Sequence, residues 1–356
     1  MRLHCLSQIM VAIVAITVMG GCAIDKVEPR HSIIIPPAPE EPRLVFIDAY
    51  RGESTFVQGP NALDVLIGDT QIDVGKNIKK PYGVGGFGGR IYVADTGSAA
   101  VFVIDPKKKK VSLIGDQPVG KLVMPVDVAF SKDGTLYVSD TVLKRVHSYD
   151  QNGTFKSAYG MKDEFYRPSG ISVNSDLGLL YVVDTLAHNI KVFSLAGQLV
   201  STIGKRGDGD GEFNYPTNIA IDNRNGNVIV CDTQNFRIQI LDKDGKFLGK
   251  FGEVGDKAGM FARPKGVGVD SDGHIYVVDA AFNNVQVFND KGELLLFFGT
   301  PGTGPVQFQL PAGLSFDEHD RLIIAEVFSG RVQVFQYISE KWKKENPNEY
   351  QKLKQQ

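Results

Sequence analysis

Apolar and polar residues alternate along short stretches of this chain, and Gly, Asp or Asn separates one stretch from the next. Residues 264–299 show the pattern in full, as PKGVGVD, HIYVVD, VQVFND and ELLLFFG, with turn residues at 272–273 and 291–292. Runs of β-forming residues bounded by such turns are typical of antiparallel strands in a meander. The pattern therefore predicts four strands in this stretch.

The four-strand pattern recurs six times, and each copy opens on a proline. The prolines are Pro81, Pro125, Pro168, Pro216, Pro264 and Pro311, spaced by 44, 43, 48, 48 and 47 residues. A β-rich repeat of about 40–50 residues indicates a propeller with one sheet per repeat. The predicted fold is all-β, a six-bladed β-propeller of four-stranded antiparallel blades.

The sixth copy ends after its third strand, at 331–337, so its fourth strand has to come from before Pro81. Such an N-terminal strand would close the ring and remove the exposed sheet edges. Two segments compete for this place. Residues 63–68 align with the fourth-strand template, whereas residues 44–48 have the stronger strand composition, and we favour 44–48.

The second strand of each copy ends in a motif such as YVADT, YVSDT, YVVDT or IVCDT. Together with Pro-x-Gly before it and (Asn/Arg)-(Val/Ile)-x-Val-Phe after it, this motif resembles the NHL repeat family, most clearly at 168–193 and 264–288. The resemblance spans about 81–337. It implies a six-bladed propeller of the NHL or TolB-like type.

An acidic residue closes the second strand of every copy. A carboxylate repeated around a whole ring is expected to bind loop backbone amides rather than to act in catalysis, because short acidic side chains do so at turns. These structural carboxylates are Asp95, Asp140, Asp184, Asp232, Asp279 and Glu326.

Residues 1–21 predict a signal peptide. A basic Arg2 precedes an apolar run at 9–19, which is too short to cross a bilayer as a helix. Gly20, Gly21 and Cys22 resemble the lipobox of bacterial lipoproteins, which implies lipid on Cys22; ordinary signal cleavage nearby is the alternative. The resemblance implies an exported protein held at the outer membrane, facing the periplasm, through this lipid alone.

The remaining segments divide the mature chain. Residues 22–42 are proline-rich and predict an extended tether, residues 43–338 hold the propeller, and residues 339–356 predict a polar tail, either solvated or a frayed helix. The formal net charge of −2 gives no basic field, so nucleic-acid binding is disfavoured.

Large apolar residues recur on the loops that follow the second strands. A ring of such residues on one rim could bind a protein or glycan partner. Packing against the adjacent blade linker is the alternative, and we favour it slightly. They are Leu143, Leu186, Phe236, Phe282 and Phe328.

Metal chemistry has weak support in the sequence. Two residues after the opening prolines, only Asp127 and Asn218 are polar, and they belong to blades on separate sectors. Propeller lactonases of the paraoxonase type hold calcium at this place with more ligands. Asp208, Asp210 and Glu212 have the spacing of a calcium loop but lack its closing glutamate, so no cofactor is predicted.

The absence of converging catalytic groups favours a membrane-tethered scaffold that binds a partner in the cell envelope without catalysis of its own. The alternative is a metal-dependent hydrolase or lyase, similar to a lactonase, with its site at the mouth of the axial channel near Asp127 and Asn218.

Overall fold

Six antiparallel sheets stand around a common axis in the computed structural model, which describes residues 32–57 and 75–356. The chain from Ser32 to Gln356 is one compact unit. In chain order its strands are β1 (Ile34–Ile35), β2 (Leu44–Tyr50), β3 (Pro81–Phe87), β4 (Arg90–Asp95), β5 (Ala100–Asp105), β6 (Lys110–Ile114), β7 (Pro125–Phe130), β8 (Leu136–Asp140), β9 (Arg145–Tyr149), β10 (Phe155–Tyr159), β11 (Pro168–Asn174), β12 (Leu179–Asp184), β13 (Asn189–Ser194), β14 (Leu199–Ile203), β15 (Asn218–Ile221), β16 (Val228–Asp232), β17 (Arg237–Leu241), β18 (Phe247–Phe251), β19 (Pro264–Val269), β20 (Ile275–Asp279), β21 (Asn284–Phe288), β22 (Leu294–Phe298), β23 (Thr300–Pro301), β24 (Gln307–Phe308), β25 (Pro311–Phe316), β26 (Arg321–Glu326) and β27 (Arg331–Tyr337).

Blades 1 to 5 are continuous in sequence, and each pairs its four strands in chain order. They comprise β3–β6, β7–β10, β11–β14, β15–β18 and β19–β22. The first strands of neighbouring blades contact one another around the whole ring, so these strands line the axis. The predicted six-bladed fold is confirmed.

Blade 6 combines both ends of the folded unit. Strand β2 pairs antiparallel with β27, placing Leu44 opposite Tyr337 and Tyr50 opposite Val332, and β1 adds a fifth strand outside β2. The predicted N-terminal closing strand is therefore confirmed at the favoured segment. The competing segment 63–68 lies outside the described residues.

The core consists of six hydrophobic layers in the described part of the chain, each between two neighbouring blades. Between blades 6 and 1, for example, Ile323 and Val334 pack with Val93 and Phe102. Each fully buried aliphatic or aromatic side chain contributes roughly 1.5–3 kcal/mol by leaving water. The ring is thus held together by the faces of its blades.

The ring has two different faces. The blade-to-blade linkers and the loops between second and third strands form one, the linker face; the tight turns between the other strands form the opposite, turn face. The axial ends of the innermost strands that begin at the opening prolines lie at the linker face.

Both terminal segments pack on the turn face. Residues 340–353 form two short helices, α1 (Glu340–Glu345) and α2 (Pro347–Leu353), and Leu353 is buried. Lys343 Nζ and Tyr350 Oη both donate to Glu41 Oε1, at 2.8 and 2.6 Å, which lowers the pKa of Glu41 to about 2. The end of the predicted tether and the predicted tail therefore belong to the folded unit.

The predicted signal peptide, Cys22 and the first part of the tether lie outside the described residues. Within 32–57 and 75–356, no helix has the length and apolar character needed to span a membrane.

Candidate active site at the axial mouth

The axis opens on the linker face into a small cavity, the axial mouth. Its volume is about 10 Å³, which is about the space that one water molecule needs. Each of the six blades contributes one or both of the two residues that follow its opening proline. The lining residues are Tyr82, Gly83, Val126, Asp127, Gly170, Thr217, Asn218, Lys265, Ala312 and Gly313.

Asp127 of blade 2 and Asn218 of blade 4 meet at this mouth. Asn218 Nδ2 donates to Asp127 Oδ2 at 3.1 Å. Blade 3 lies between them and presents Gly170, where a Cβ atom would meet the Asn218 Cα at 2.5 Å. The two residues belong to separate blades, as expected, but a glycine in the intervening blade lets their side chains reach each other.

Asp127 is buried, and both of its carboxyl oxygens accept hydrogen bonds. Its Oδ1 accepts from the Val128 amide at 2.9 Å and its Oδ2 from the Ile171 amide at 3.0 Å. Burial raises the pKa of Asp127 to about 7, although these bonds and the one from Asn218 act to lower it. A carboxyl group with this pKa takes up and releases a proton near neutral pH, as a general acid or base must.

A second pair spans the opposite side of the mouth. Lys265 Nζ of blade 5 donates to Tyr82 Oη of blade 1 at 2.6 Å and lies 5.1 Å from the centroid of the tyrosine ring. Blade 6 lies between them with Ala312 and Gly313, and a Cβ on Gly313 would meet the Tyr82 carbonyl oxygen at 2.4 Å. Small residues in the intervening blade again permit the contact.

Lys265 and Tyr82 occupy the first position after their opening prolines, so the pattern at the second position does not reveal them. The first position carries a signal of its own, since it is occupied by Tyr82, Val126, Ser169, Thr217, Lys265 and Ala312. Four of these six are polar, and a search at this position would have found the second pair.

The axial residues do not fit a calcium cage. Such a cage needs about six to eight oxygen ligands, whereas the side chains of the mouth supply one carboxylate, one amide and two hydroxyls. The hydroxyls of Tyr82 and Thr217 already bond to Lys265 and Thr233. Both Asp127 oxygens already accept hydrogen bonds, Asn218 Oδ1 accepts from the Val267 amide at 3.0 Å, and the Lys265 ammonium lines the same cavity. In the described part of the chain, no three His, Cys, Asp or Glu side chains are placed to hold a metal.

The weak calcium-loop candidates have other partners. Asp210 Oδ1 pairs with Lys250 Nζ at 2.6 Å, and Glu212 Oε1 with Lys205 Nζ at 3.2 Å. Asp208 contributes its carbonyl oxygen, which accepts from Arg237 Nη1 at 2.6 Å. Two of the three carboxylates thus face ammonium groups.

The repeated carboxylates lie buried at the linker-face ends of the second strands and bind backbone amides. Asp279 is representative, because it accepts from the amides of Ala262, Arg263, Ala281 and Phe282. Asp95, Asp140 and Asp184 make the same kind of contact, whereas Asp232 and Glu326 also pair with Arg237 and Arg331. Each carboxylate ties the linker before its blade to the blade itself.

The apolar rim residues differ in exposure. Phe328 and Leu186 are 73% and 47% exposed, whereas Leu143, Phe236 and Phe282 are half-buried. Phe236 packs against the layer between blades 4 and 5. A partner at this rim stays a prediction.

The protein is thus a six-bladed β-propeller, and its candidate site is built around the buried Asp127 carboxyl at the axis. The chain belongs to the SMP-30/gluconolactonase/LRE-like family, whose model matches residues 38–252. The NHL repeat model matches residues 261–288, which confirms the predicted resemblance.

Among curated proteins, a gluconolactonase from Zymomonas mobilis subsp. mobilis is 34% identical over 122 residues. The match covers 30% of this chain and 34% of that protein, so the chain spans about a third of the length of the curated relative.

Solved structures share the fold. A gluconolactonase from Xanthomonas campestris superposes with a TM-score of 0.58 at 15% identity, covering 86% of this chain and 100% of that one. A catalytically inactive virginiamycin B lyase from Staphylococcus aureus, solved with quinupristin, gives 0.56 at 15% identity, covering 82% and 99%.

The interpretation of this protein as a scaffold without catalysis is wrong. Family membership and the gluconolactonase relative favour the alternative, an enzyme of the lactonase or lyase kind. The groups that favour an enzyme come together only in the folded ring, where Asp127 meets Asn218 and Lys265 meets Tyr82 across an intervening blade.

Proposed function

We propose that this protein is a lactonase that opens a cyclic ester with water at the axial mouth. One observation carries the proposal: a buried carboxyl, Asp127, has a pKa of about 7 and borders a cavity that holds about one water molecule. Membership in a family that includes gluconolactonases supports the same reaction class.

The residues of the mouth supply the steps that such a hydrolysis needs. The Asp127 carboxylate takes a proton from a water molecule in the cavity, and the water oxygen bonds to the ester carbonyl carbon. The Lys265 ammonium attracts the negative charge that develops on the carbonyl oxygen. The ring C–O bond then breaks, and the proton on Asp127 passes to the leaving oxygen, giving a hydroxy acid.

The cavity is too small for a substrate, so the lactone lies over the mouth on the linker face. Sugar lactones are the first substrates to test, because the curated relative is named a gluconolactonase.

Turnover of glucono-δ-lactone by the full-length protein, followed in a pH-stat above the spontaneous rate, tests the proposal. Asp127→Asn should lower kcat by at least about a hundredfold, as loss of a general base does. The matched control is Asp208→Asn, which changes an exposed carboxylate and should retain activity. Equal activity of the wild type and Asp127→Asn would refute the proposed role.

The rate should also rise with pH through about 7, where Asp127 loses its proton. Because the axial residues do not fit a metal, we expect a chelator to leave the rate unchanged. A chelator-sensitive rate, restored by added calcium, would show that the mechanism above is incomplete.

We further propose that the enzyme acts in the cell envelope, anchored by lipid on Cys22 at the outer membrane and facing the periplasm. The lipobox-like sequence supports this location. Labelled palmitate should enter the wild-type protein but not Cys22→Ala, and the variant should appear in the soluble fraction. Labelling of Cys22→Ala at the wild-type level would exclude the anchor.

A further inference from the structure

A second cavity, of about 400 Å³, opens on the turn face between blades 2 and 3. We call it the hydroxyl pocket and define it by Ser131, Thr135, Tyr137, Ser148, Lys156 and Tyr159. Its volume lies within the range of about 300–1,000 Å³ that small-molecule sites occupy. It lies on the face opposite the axial mouth, so the proposed lactonase reaction does not use it.

The pocket exists because blade 2 departs from the repeat at one position. Ser148 lies opposite Tyr137 in the sheet, at the place where every other blade has an aliphatic residue. Those residues are Val103, Val192, Ile240, Val287 and Val334. The missing aliphatic group leaves space, and Ser148 Oγ instead contacts Ser157 Oγ at 2.9 Å.

The pocket has an aromatic wall and a polar wall. The rings of Tyr137 and Tyr159 pack edge to face with centroids 5.6 Å apart, and Tyr159 Oη donates to the Leu195 carbonyl at 2.8 Å. A hydroxyl that donates one hydrogen bond retains acceptor capacity. Ser148 and Thr135 are buried and add further hydroxyl groups. These hydroxyl groups can donate hydrogen bonds to, and accept them from, a ligand that carries many hydroxyls of its own.

The charged side chains that line the pocket are Lys132, Asp133 and Lys156. Lys156 is the one that contacts a neutral hydroxyl. Its Nζ donates to the neutral Thr135 Oγ1 at 3.2 Å. The neighbouring Lys132 is paired with Asp176, and the Asp133 carboxylate accepts from Ser131 Oγ at 2.5 Å and from Thr135 Oγ1 at 3.1 Å. Asp133 also lines the pocket, and its charged form is stabilised by hydrogen bonds from Ser131 and Thr135 and by the charge of Lys156. Among the described residues Lys156 makes no ion pair within 4 Å, so it is the ammonium group that a ligand carboxylate would meet.

We propose that the hydroxyl pocket binds a monosaccharide that carries a carboxylate, a uronic acid. The sugar hydroxyls bond to the serine, threonine and tyrosine side chains, one face of the ring lies against the tyrosines, and the carboxylate pairs with Lys156. The proposal is independent of the axial reaction.

Titration calorimetry of the full-length protein with D-glucuronate tests this assignment. Ser148→Val gives blade 2 the residue of the other blades and should fill the pocket. We expect it to weaken binding at least about tenfold without lowering the melting temperature. Lys156→Gln, at an exposed position, should weaken D-glucuronate binding about tenfold, the ratio that corresponds to one charged hydrogen bond. It should leave the weaker binding of D-glucose unchanged.

Asp127→Asn is the control for binding at the axial mouth and should bind D-glucuronate like the wild type. Three results would overturn the proposal. They are no binding by the wild type, wild-type affinity in both Ser148→Val and Lys156→Gln, and loss of binding in Asp127→Asn. If Ser148→Val unfolds, Lys156→Gln alone decides.

Discussion

Asp127 couples the proposed chemistry to stability at the scale of a single residue. Its carboxyl is buried with a pKa of about 7, whereas an exposed aspartate has a pKa near 3.8. Between these values the folded state holds a proton that the unfolded state releases. The bound proton therefore stabilises the folded state fully below about pH 3.8, and this stabilisation falls as pH rises through the range. Above about pH 7 it is gone.

We predict that Asp127→Asn flattens this pH dependence, because the amide has no proton to lose. Relative to Asp127→Asn, the wild type should lose at most on the order of 4 kcal/mol of unfolding free energy between pH 4 and pH 8. Urea denaturation at several pH values measures the difference between the two proteins. Parallel profiles would contradict the assigned pKa.

Gly170 sets how closely blades 2 and 4 approach at the axis. In Gly170→Ala the new methyl group would meet the Asn218 Cα at 2.5 Å, so we expect a loss of about 1–3 kcal/mol and weaker lactonase activity. The matched control is Gly249→Ala in β18, where a Cβ meets nothing within 4 Å. That variant should be neutral or slightly more stable, and equal losses in both would refute the steric explanation.

At the scale of elements, buried ion pairs hold the longer linkers against their blades. Arg237 Nε pairs with Asp232 Oδ2 at 2.8 Å, and its Nη2 donates to the carbonyls of Gly209 and Glu212 at 2.8 and 3.0 Å. Both side chains of the pair are buried. One guanidinium thus satisfies a carboxylate and the linker backbone together.

We predict that Arg237→Met costs about 3–5 kcal/mol of unfolding free energy, because Asp232 and the linker carbonyls lose their partner in a buried place. Lys250→Met removes the exposed pair with Asp210 and should change stability by less than about 1 kcal/mol. Chemical denaturation of both variants gives the comparison, and similar small losses would show that the linker does not depend on Arg237.

The elements were predictable from sequence because strand periodicity and turn residues are local properties that recur in every blade. The Asp127–Asn218 and Lys265–Tyr82 contacts were not, since each joins blades that are far apart in sequence. Whether such pairs meet depends on the bulk of the intervening residue, here Gly170 or Gly313. The repeat count alone predicts that an N-terminal strand closes the ring. Only strand composition favours residues 44–48 over residues 63–68 for that strand.

At the scale of the whole molecule, stability depends on closing the ring. Strand β2 covers the edge of β27, and an uncovered edge is a template for pairing with other chains. We predict that removing residues 2–50 yields oligomers or aggregates on size-exclusion chromatography. Removing residues 2–31, which precede the compact unit, should yield a monomer with the wild-type melting temperature. A monomer from the longer deletion would show that β2 is dispensable.

The Lys265–Tyr82 contact reaches over blade 6, the blade that holds strands from both ends of the folded unit. Nascent or proteolytically shortened chains that lack either end cannot bring these two groups together. The proposed reaction, if it needs this contact, therefore requires the completed ring, and incomplete chains should be inactive in the lactonase assay.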